Sequence, residues 1–481
     1  MRIAFLTPET APYAKTGGLA DVAAALPPAL AAAGQQVMLF MPAYAGGQGS
    51  TPEGKTVDIF DLEICGRVLE TRLVKKSLHS GLDHYFIVQD LFFCRRFLYG
   101  QGGVDYFDNL ARFFFLQKAV LNFLLRRGIK VDVLHLNDWQ TALVPALLRL
   151  EPFNSLPGPP ATLLTIHNLA YQGLFPWSEF KALGFPAGSE LETAAEFHGR
   201  FSCLKSGIVL ADALNTVSPS YAAEILGPEM GCGLDGVLAA QAAKLSGVLN
   251  GAEYRVWNPA RDRYLPSTFS SRSLGRKKAN KEFLFQRWQF SLSSETPLAV
   301  FIGRLDRQKG IELLLEAWPL LRRENLAIAV LGTGERRLER ELNRLAKRHP
   351  GRFVFLNVFS EEAAHQLNAA ADLLLMPSLY EPCGLNQIYA LKYGTLPLVH
   401  QTGGLRDTVM EVDLQTLEGT GFTFRNMDAR DFLAALKKAL GLYAEPKKWR
   451  RVQLNAMTQD FSWSRSAGEY IAWYQKINRR K

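Results

Sequence analysis

The chain has 481 residues, too long for one ordinary domain and long enough for two or three, each with its own core. With 48% hydrophobic and 21% charged residues it has the balance of a soluble globular protein. The net charge of +9 is scattered, and its densest groups, Arg276-Lys277-Lys278, Arg336-Arg337 and Arg479-Arg480-Lys481, are short and lack interleaved aromatics. That disfavours a nucleic-acid partner and reads as a solvated basic surface suited to a small polyanionic ligand.

The N-terminal apolar run, Ile3–Leu6, is too short for a signal peptide, and no apolar stretch reaches membrane-spanning length. Five cysteines, Cys65, Cys94, Cys203, Cys232 and Cys383, show no metal-like spacing. An odd count without pairing fits reduced thiols in a cytoplasmic protein with no membrane partner.

In chain order, Arg2–Thr7 predicts a first strand. A helix follows over Asp21–Ala33, closed by Gly34, and then a strand over Gln36–Met41. Val131–Leu136, Ala161–Ile166 and Ala213–Val217 are short apolar runs of buried-strand type. Ser218-Pro219 opens a helix, with Ser as cap and Pro in the first turn. Around Leu249–Pro266, Asn-Gly, Asn-Pro and Leu-Pro pairs break the pattern and mark an interdomain linker.

The alternation then restarts. Strands are expected at Leu298–Ile302, Ala327–Leu331, Phe353–Asn357, Leu373–Met376 and Leu396–His400, with helices between them and a last helix over Trp463–Asn478. Strands separated by helices of this length imply βαβ units and parallel sheets. The expected architecture is α/β, two doubly wound Rossmann-like domains facing a cleft. The expected divisions are 1–248, 249–458 and a returning helix in 459–481. Ligands of such sheets bind at the carboxyl ends of the strands.

Several loops at those ends carry chemistry. Lys15-Thr16-Gly17-Gly18 follows the first strand; its glycines fit either a tight structural turn or a close backbone approach to a ligand, with Lys15 adding a point charge. Its spacing matches neither the dinucleotide fingerprint nor an NTPase phosphate loop. Gly303–Gly310 sets Arg304 and Lys309 five residues apart, a fork and an ammonium suited to one diphosphate. Two cations beside a helix start are electrostatically misplaced without an anion.

Glu381-Pro382-Cys383-Gly384-Leu385 offers a carboxylate for sugar hydroxyls and backbone N–H groups for a hydroxyl or phosphate. Gln401-Thr402-Gly403-Gly404-Leu405 follows as a second Gly-rich segment. His167 ends a buried strand, as a core histidine or a cleft residue; Asp138 ends another, as a helix cap or a cleft residue. Ser/His/Asp order, zinc spacing and a nicotinamide signature are all missing from the sequence. Two cations for a diphosphate, with a carboxylate and a His for a sugar, fit glycosyl transfer from a nucleotide sugar.

The segments Lys15–Val22, His135–Leu143, Thr165–Gly173, Gly231–Leu238, Leu249–Asp262, Gly303–Gly310, Glu381–Tyr389 and Tyr393–Thr408 together resemble the bacterial-type glycogen/starch synthase family over nearly the whole chain. The resemblance implies a GT-B fold and retaining transfer of glucose from ADP-glucose to the non-reducing end of an α-1,4-glucan, glycogen or maltooligosaccharide. It implies that Arg304 and Lys309 hold the diphosphate, that Glu381 binds the donor glucose and that His167 contacts its hydroxyl or the transition state. Lys15, Gly17 and Gly18 would approach the diphosphate, Asp138 would lie towards the acceptor, and Asn250 and Cys383, Gly384 and Leu385 would line the substrate.

The same resemblance implies no cofactor beyond the donor and no metal, because the two cations supply the charge. It leaves open UDP-glucose or another acceptor, and a non-catalytic glucan-binding role. It specifies no oligomeric state. Tyr389 stands where broader retaining relatives carry a second acidic residue. Ala252, Glu253, Asn386 and His400 depart from the family's usual residues.

Overall fold

A computed structural model describes residues 1–44, 53–102, 104–186, 188 and 190–479. Arg480 and Lys481, which complete the last basic run, lie outside the described residues. The chain divides into two compact units, Met1–Gly251 with Trp463–Lys481, and Ala252–Ser462. The passages between them thus fall at Gly251/Ala252 and Ser462/Trp463, against the expected breaks after residues 248 and 458.

The first unit is built on a nine-stranded sheet. Arg2–Leu6 lies at its middle, with Gln36–Pro42 on one side and Val133–Asn137 on the other, all parallel. The sheet continues past Val133–Asn137 through Ala161–Ile166 and Ala213–Thr216 to Leu245–Gly247. These central strands are buried along almost their whole length, as strands covered by helices on both faces must be.

The other edge departs from the expected parallel pattern. Lys55–Ile64 and Arg67–His79 form an antiparallel hairpin that joins the sheet through Leu82–Val88. Its turn is Cys65-Gly66, both at positive φ, closing the pair Ile64/Arg67. Lys55–Ile64 alternates exposed and buried residues, the signature of a strand with one wet face, and a search for apolar runs passes over it.

The helix Trp463–Asn478 closes the first unit. Trp463, Ala467, Tyr470, Tyr474 and Ile477 pack on Ile3, Phe5, Val133, Leu163 and Ala213. Polar contacts fix it in place. The Tyr474 hydroxyl lies 2.6 Å from His135 Nδ1, and Asn215 donates to the Tyr470 hydroxyl at 2.8 Å. Ser466 donates to the carbonyl of Leu249 at 2.7 Å.

The second unit holds a six-stranded parallel sheet in the order Phe353–Leu356, Ala327–Leu331, Leu298–Ile302, Leu373–Met376, Leu396–His400, Phe422–Phe424. In each sheet the first strand of the unit lies between strands reached in opposite directions. The loops leaving it and its neighbour therefore diverge at a topological switch point.

Candidate functional site

In the first unit, the Gly-rich loop, Asp138 and His167 all leave the carboxyl ends of adjacent strands at the switch point. Asp138 follows Val133–Asn137 and adopts φ 56°, ψ −173°, a conformation that costs a non-glycine residue roughly 1–3 kcal/mol. It makes no side-chain cap for the short helix it precedes. Its Oδ1 instead accepts the His167 N–H at 2.7 Å. Burial raises its pKa to about 7, opposed by hydrogen bonds from the backbone of His167 and Asn168. The helix-cap alternative is therefore replaced by a strained residue that anchors the His167 loop.

His167 Nε2 lies 2.9 Å from Asn137 Oδ1, and the Asn137 amide nitrogen donates to the Leu6 carbonyl. Asn137 therefore presents an acceptor, which assigns the proton to Nε2 and leaves Nδ1 as the ring's acceptor. Burial lowers the His167 pKa to about 3, so the ring is neutral at physiological pH. Sequence reasoning passes over Asn137, although it directly precedes Asp138.

The Gly-rich loop is held from beneath by Glu9, a buried carboxylate that sequence reasoning also misses. It accepts the Thr16 N–H at 2.6 Å and the Thr16 hydroxyl at 2.9 Å, and burial raises its pKa to about 7. Lys15 pairs with Asp21 at 2.6 Å on the exposed side. Gly17 is extended and precedes the helix Gly18–Ala32 without a side-chain cap. Among the described residues, nothing beyond its chain neighbours and its own helix backbone lies within 4 Å of the position a Cβ would take at Gly17 or Gly18. Asn250 is buried near the end of the unit, and its Oδ1 has no hydrogen-bond partner among the described residues.

In the second unit, the loop after Leu298–Ile302 carries Arg304 and Lys309, and the loop after Leu373–Met376 carries Glu381. Lys309 Nζ donates to Glu381 Oε2 at 2.6 Å, and the Ser378 hydroxyl donates to the same oxygen at 3.1 Å. The Glu381 side chain is only 7% exposed, so this pair is largely desolvated. Arg304 stands apart, its side chain 56% exposed, 3.4 Å from Asp306 and donating to Gln308.

Cys383 is buried and Gly384 has φ 74°. Leu385 precedes the helix Asn386–Lys392, again without a side-chain cap. The segment Thr402–Leu405 underlies this loop. Gly403 has φ 44°, a Cβ there would collide with the Glu381 carbonyl oxygen, and one at Gly404 would collide with the Cys383 carbonyl oxygen. The Gly404 N–H donates to the Glu381 carbonyl at 3.0 Å. The second Gly-rich segment is thus a support for the loop above it.

At the same carboxyl edge Phe359 is 86% exposed, just before the helix capped by Ser360. Only its exposure distinguishes it, and sequence does not report exposure. Among the described residues, no three His, Cys, Asp or Glu side chains converge to hold a metal. No helix among them is long and apolar enough to cross a membrane. A cavity of about 780 Å³ opens at the opposite, amino end of this sheet. Its Lys281 pairs with Asp372 at 2.6 Å and its Lys277 donates to three carbonyls and Thr395, so these groups brace the domain far from the loops above.

Residues 2–240 match the starch synthase catalytic domain family and residues 282–453 match glycosyl transferases group 1. The glycogen synthase of Cellvibrio japonicus is 42% identical over 489 residues, covering 99% of each chain. That of Anaeromyxobacter sp. is 43% identical over 485 residues, again covering 99% of each. The chain belongs to the glycogen synthase family.

It is accordingly a glycosyltransferase of GT-B fold. The catalytic domain of starch synthase IV from Arabidopsis thaliana, solved with ADP and acarbose, superimposes with a TM-score of 0.89 at 31% identity, covering 99% of both chains. Sucrose-phosphate synthase from Thermosynechococcus elongatus shares the fold, with a TM-score of 0.61 at 18% identity over the full length of both.

Of this chain's departures from the family's usual residues, Asn386 and His400 contact the loops of the second sheet. The Asn386 amide donates to the Ile302 carbonyl at 2.7 Å, tying the helix after the Glu381 loop to the base of the Arg304 loop. The ring nitrogens of His400 lie 2.7 and 3.0 Å from the carbonyl oxygens of Ser378 and Arg425, so its contacts are to the main chain.

Proposed function

We propose that this glycogen synthase family member transfers glucose from ADP-glucose to the non-reducing end of an α-1,4-glucan, with retention at the anomeric carbon. The observation that carries the reading is the Lys309–Glu381 pair at the switch point of the second sheet, with Arg304 exposed on the same loop as Lys309. Glu381 is an acceptor for the hydroxyls of the donor glucose. Lys309 and Arg304 are the cations for its diphosphate. As the bond to the anomeric carbon breaks, negative charge grows on the departing phosphate while the sugar gains oxocarbenium character. Fixed cations stabilise that phosphate more in the transition state than in the ground state.

In the first unit, neutral His167 accepts a hydrogen bond from a sugar hydroxyl at Nδ1, and Asp138 positions it through the backbone. Lys15, Gly17 and Gly18 admit the diphosphate to the first turn of the helix Gly18–Ala32, where uncapped N–H groups favour an anion. The departing phosphate takes the proton of the acceptor hydroxyl, so no protein nucleophile is used. Phe359 offers its ring to the nucleotide base. The ADP bound to the Arabidopsis starch synthase IV catalytic domain supports adenine in the donor.

The deciding assay is incorporation of labelled glucose into glycogen from ADP-glucose and UDP-glucose in parallel, without added metal. The expected result is preferential incorporation from ADP-glucose. Preference for UDP-glucose would overturn the donor, and incorporation from neither would overturn the transfer itself.

A further inference from the structure

Both chain passages of the second unit end on one helix. That helix, Asn386–Lys392, begins where the Glu381–Leu385 loop ends. The entering passage packs Ala252, Tyr254 and Trp257 against Leu385, Ile388 and Tyr389, and the leaving passage adds Phe461 to the same apolar cluster. The passages also bond to each other. The Ala252 N–H donates to the Phe461 carbonyl at 2.6 Å, and the Phe461 N–H donates to the Tyr254 hydroxyl at 3.2 Å. The Lys392 ammonium lies 4.7 Å from the centre of the Tyr254 ring, adding a cation–π contact from the far end of the helix.

Trp257 is the wedge of this arrangement. Its ring stacks on Tyr389 at 4.1 Å and 3°, and on its other face on His365 at 3.7 Å and 11°. His365 cannot tilt away. Its Nδ1 is 2.7 Å from Asp262 Oδ2, and the Tyr393 hydroxyl donates to the same oxygen at 2.5 Å. Tyr393 itself ends the helix that carries Tyr389. The indole therefore sets the spacing between the helix Glu361–Ala370, which holds His365, and the helix behind the Glu381 loop. Three stacked rings resist both tilt and separation, since either forfeits contact over the whole ring face.

We propose that Trp257 and Tyr254 are positioning residues for the donor site, coupling both chain passages to the loop that presents Glu381 and the backbone of Cys383–Leu385. Movement of either passage changes the pose of that loop, so donor binding and the path of the linker are one variable. The proposal rests on the function proposed above. A purely packing role would lower melting temperature and active fraction and leave the Michaelis constant of the donor where it is.

The test measures kcat and the KM of donor and acceptor for the full-length wild type, W257L, W257F and Y254F, with ADP binding by calorimetry. W257L should raise the donor KM about fivefold or more and weaken ADP by a similar factor, with acceptor KM within about twofold. W257F keeps a ring in the slot and should stay within about twofold of wild type. An unchanged donor KM and ADP affinity in folded W257L overturns the proposal, whatever its melting temperature. If W257L does not fold, Y254F decides: loss of one hydroxyl should raise donor KM about two- to threefold, and no change overturns the proposal. Absence of transfer by the wild type would indict the functional reading instead, and the ADP-binding arm would still test the coupling.

Discussion

The tetrapeptide Thr-Gly-Gly-Leu occurs at 16–19 and again at 402–405, each time opening a helix after a parallel strand. In the second copy the glycines are required by the protein: Gly403 sits at positive φ, and both lie against carbonyl oxygens of the loop that holds Glu381. In the first copy neither residue has positive φ, and among the described residues nothing outside its immediate chain and helix comes within 4 Å of where a side chain would start. The same four letters therefore serve opposite needs. Where the protein itself fills the space, glycine is structural; where none of the described residues does, the space is free for the ligand approach proposed above.

The largest expected effect is at the loop the second copy supports. Lys309→Ala removes a cation from the developing phosphate charge and should lower turnover about 10²- to 10³-fold in single-turnover assays. Because Glu381 is nearly buried, the variant should also melt lower, and Lys309→Ala with Glu381→Gln should recover melting temperature without recovering turnover. Turnover near the wild-type rate in either variant would remove the clamp. Gly404→Ala comes next. Its methyl group meets the Cys383 carbonyl, so stability should fall by about 2–4 kcal/mol in urea titrations. A wild-type midpoint would break the distinction between the two copies.

Gly18→Ala should do the reverse. A helical alanine for glycine gains up to about 1 kcal/mol, so its midpoint should hold or rise. Its donor KM should rise about tenfold if, as proposed, the diphosphate approaches this turn. Unchanged donor kinetics would make the first copy merely a turn.

The smallest effect is a slope. Burial raises Asp138 from 3.8 and Glu9 from 4.5 to about 7, so the folded chain retains protons that the unfolded chain has released. Their contribution is full below about pH 4 and is lost as pH rises through about 7. His167, lowered from 6.5 to about 3, runs the other way: its contribution is full above about pH 6.5 and is lost as pH falls towards 3. Asp138→Asn removes one rising-pH loss while its amide oxygen still accepts the His167 N–H. Urea midpoints from pH 5 to 8 should therefore decline less steeply in the variant. Parallel curves would remove Asp138 as a titrating anchor.

Much of the fold is legible from apolar runs. Ala161–Ile166, Leu298–Ile302, Ala327–Leu331, Leu373–Met376 and Leu396–His400 are strands at the bounds their sequences predict, because strands buried on both faces are continuous apolar blocks. The hairpin Lys55–His79 is not legible in that way, since its charged outer face interrupts every run. At the site, charged residues out of place announce themselves: Arg304 and Lys309 stand before a helix start that repels them. Glu9 and Asn137 do not, because their importance lies in burial beneath a loop and in hydrogen bonds to Thr16 and His167. The roles of the two Gly-Gly pairs are not separable by sequence at all, since only the neighbours in space differ.

The helix Trp463–Asn478 has one more consequence. It supplies Tyr470 and Tyr474 to Asn215 and His135 in a core otherwise assembled from the first half of the chain. During synthesis on the ribosome, those partners emerge long before the helix does. The first unit therefore waits, incompletely closed, through translation of the entire second unit, and its core is sealed only once this helix has emerged.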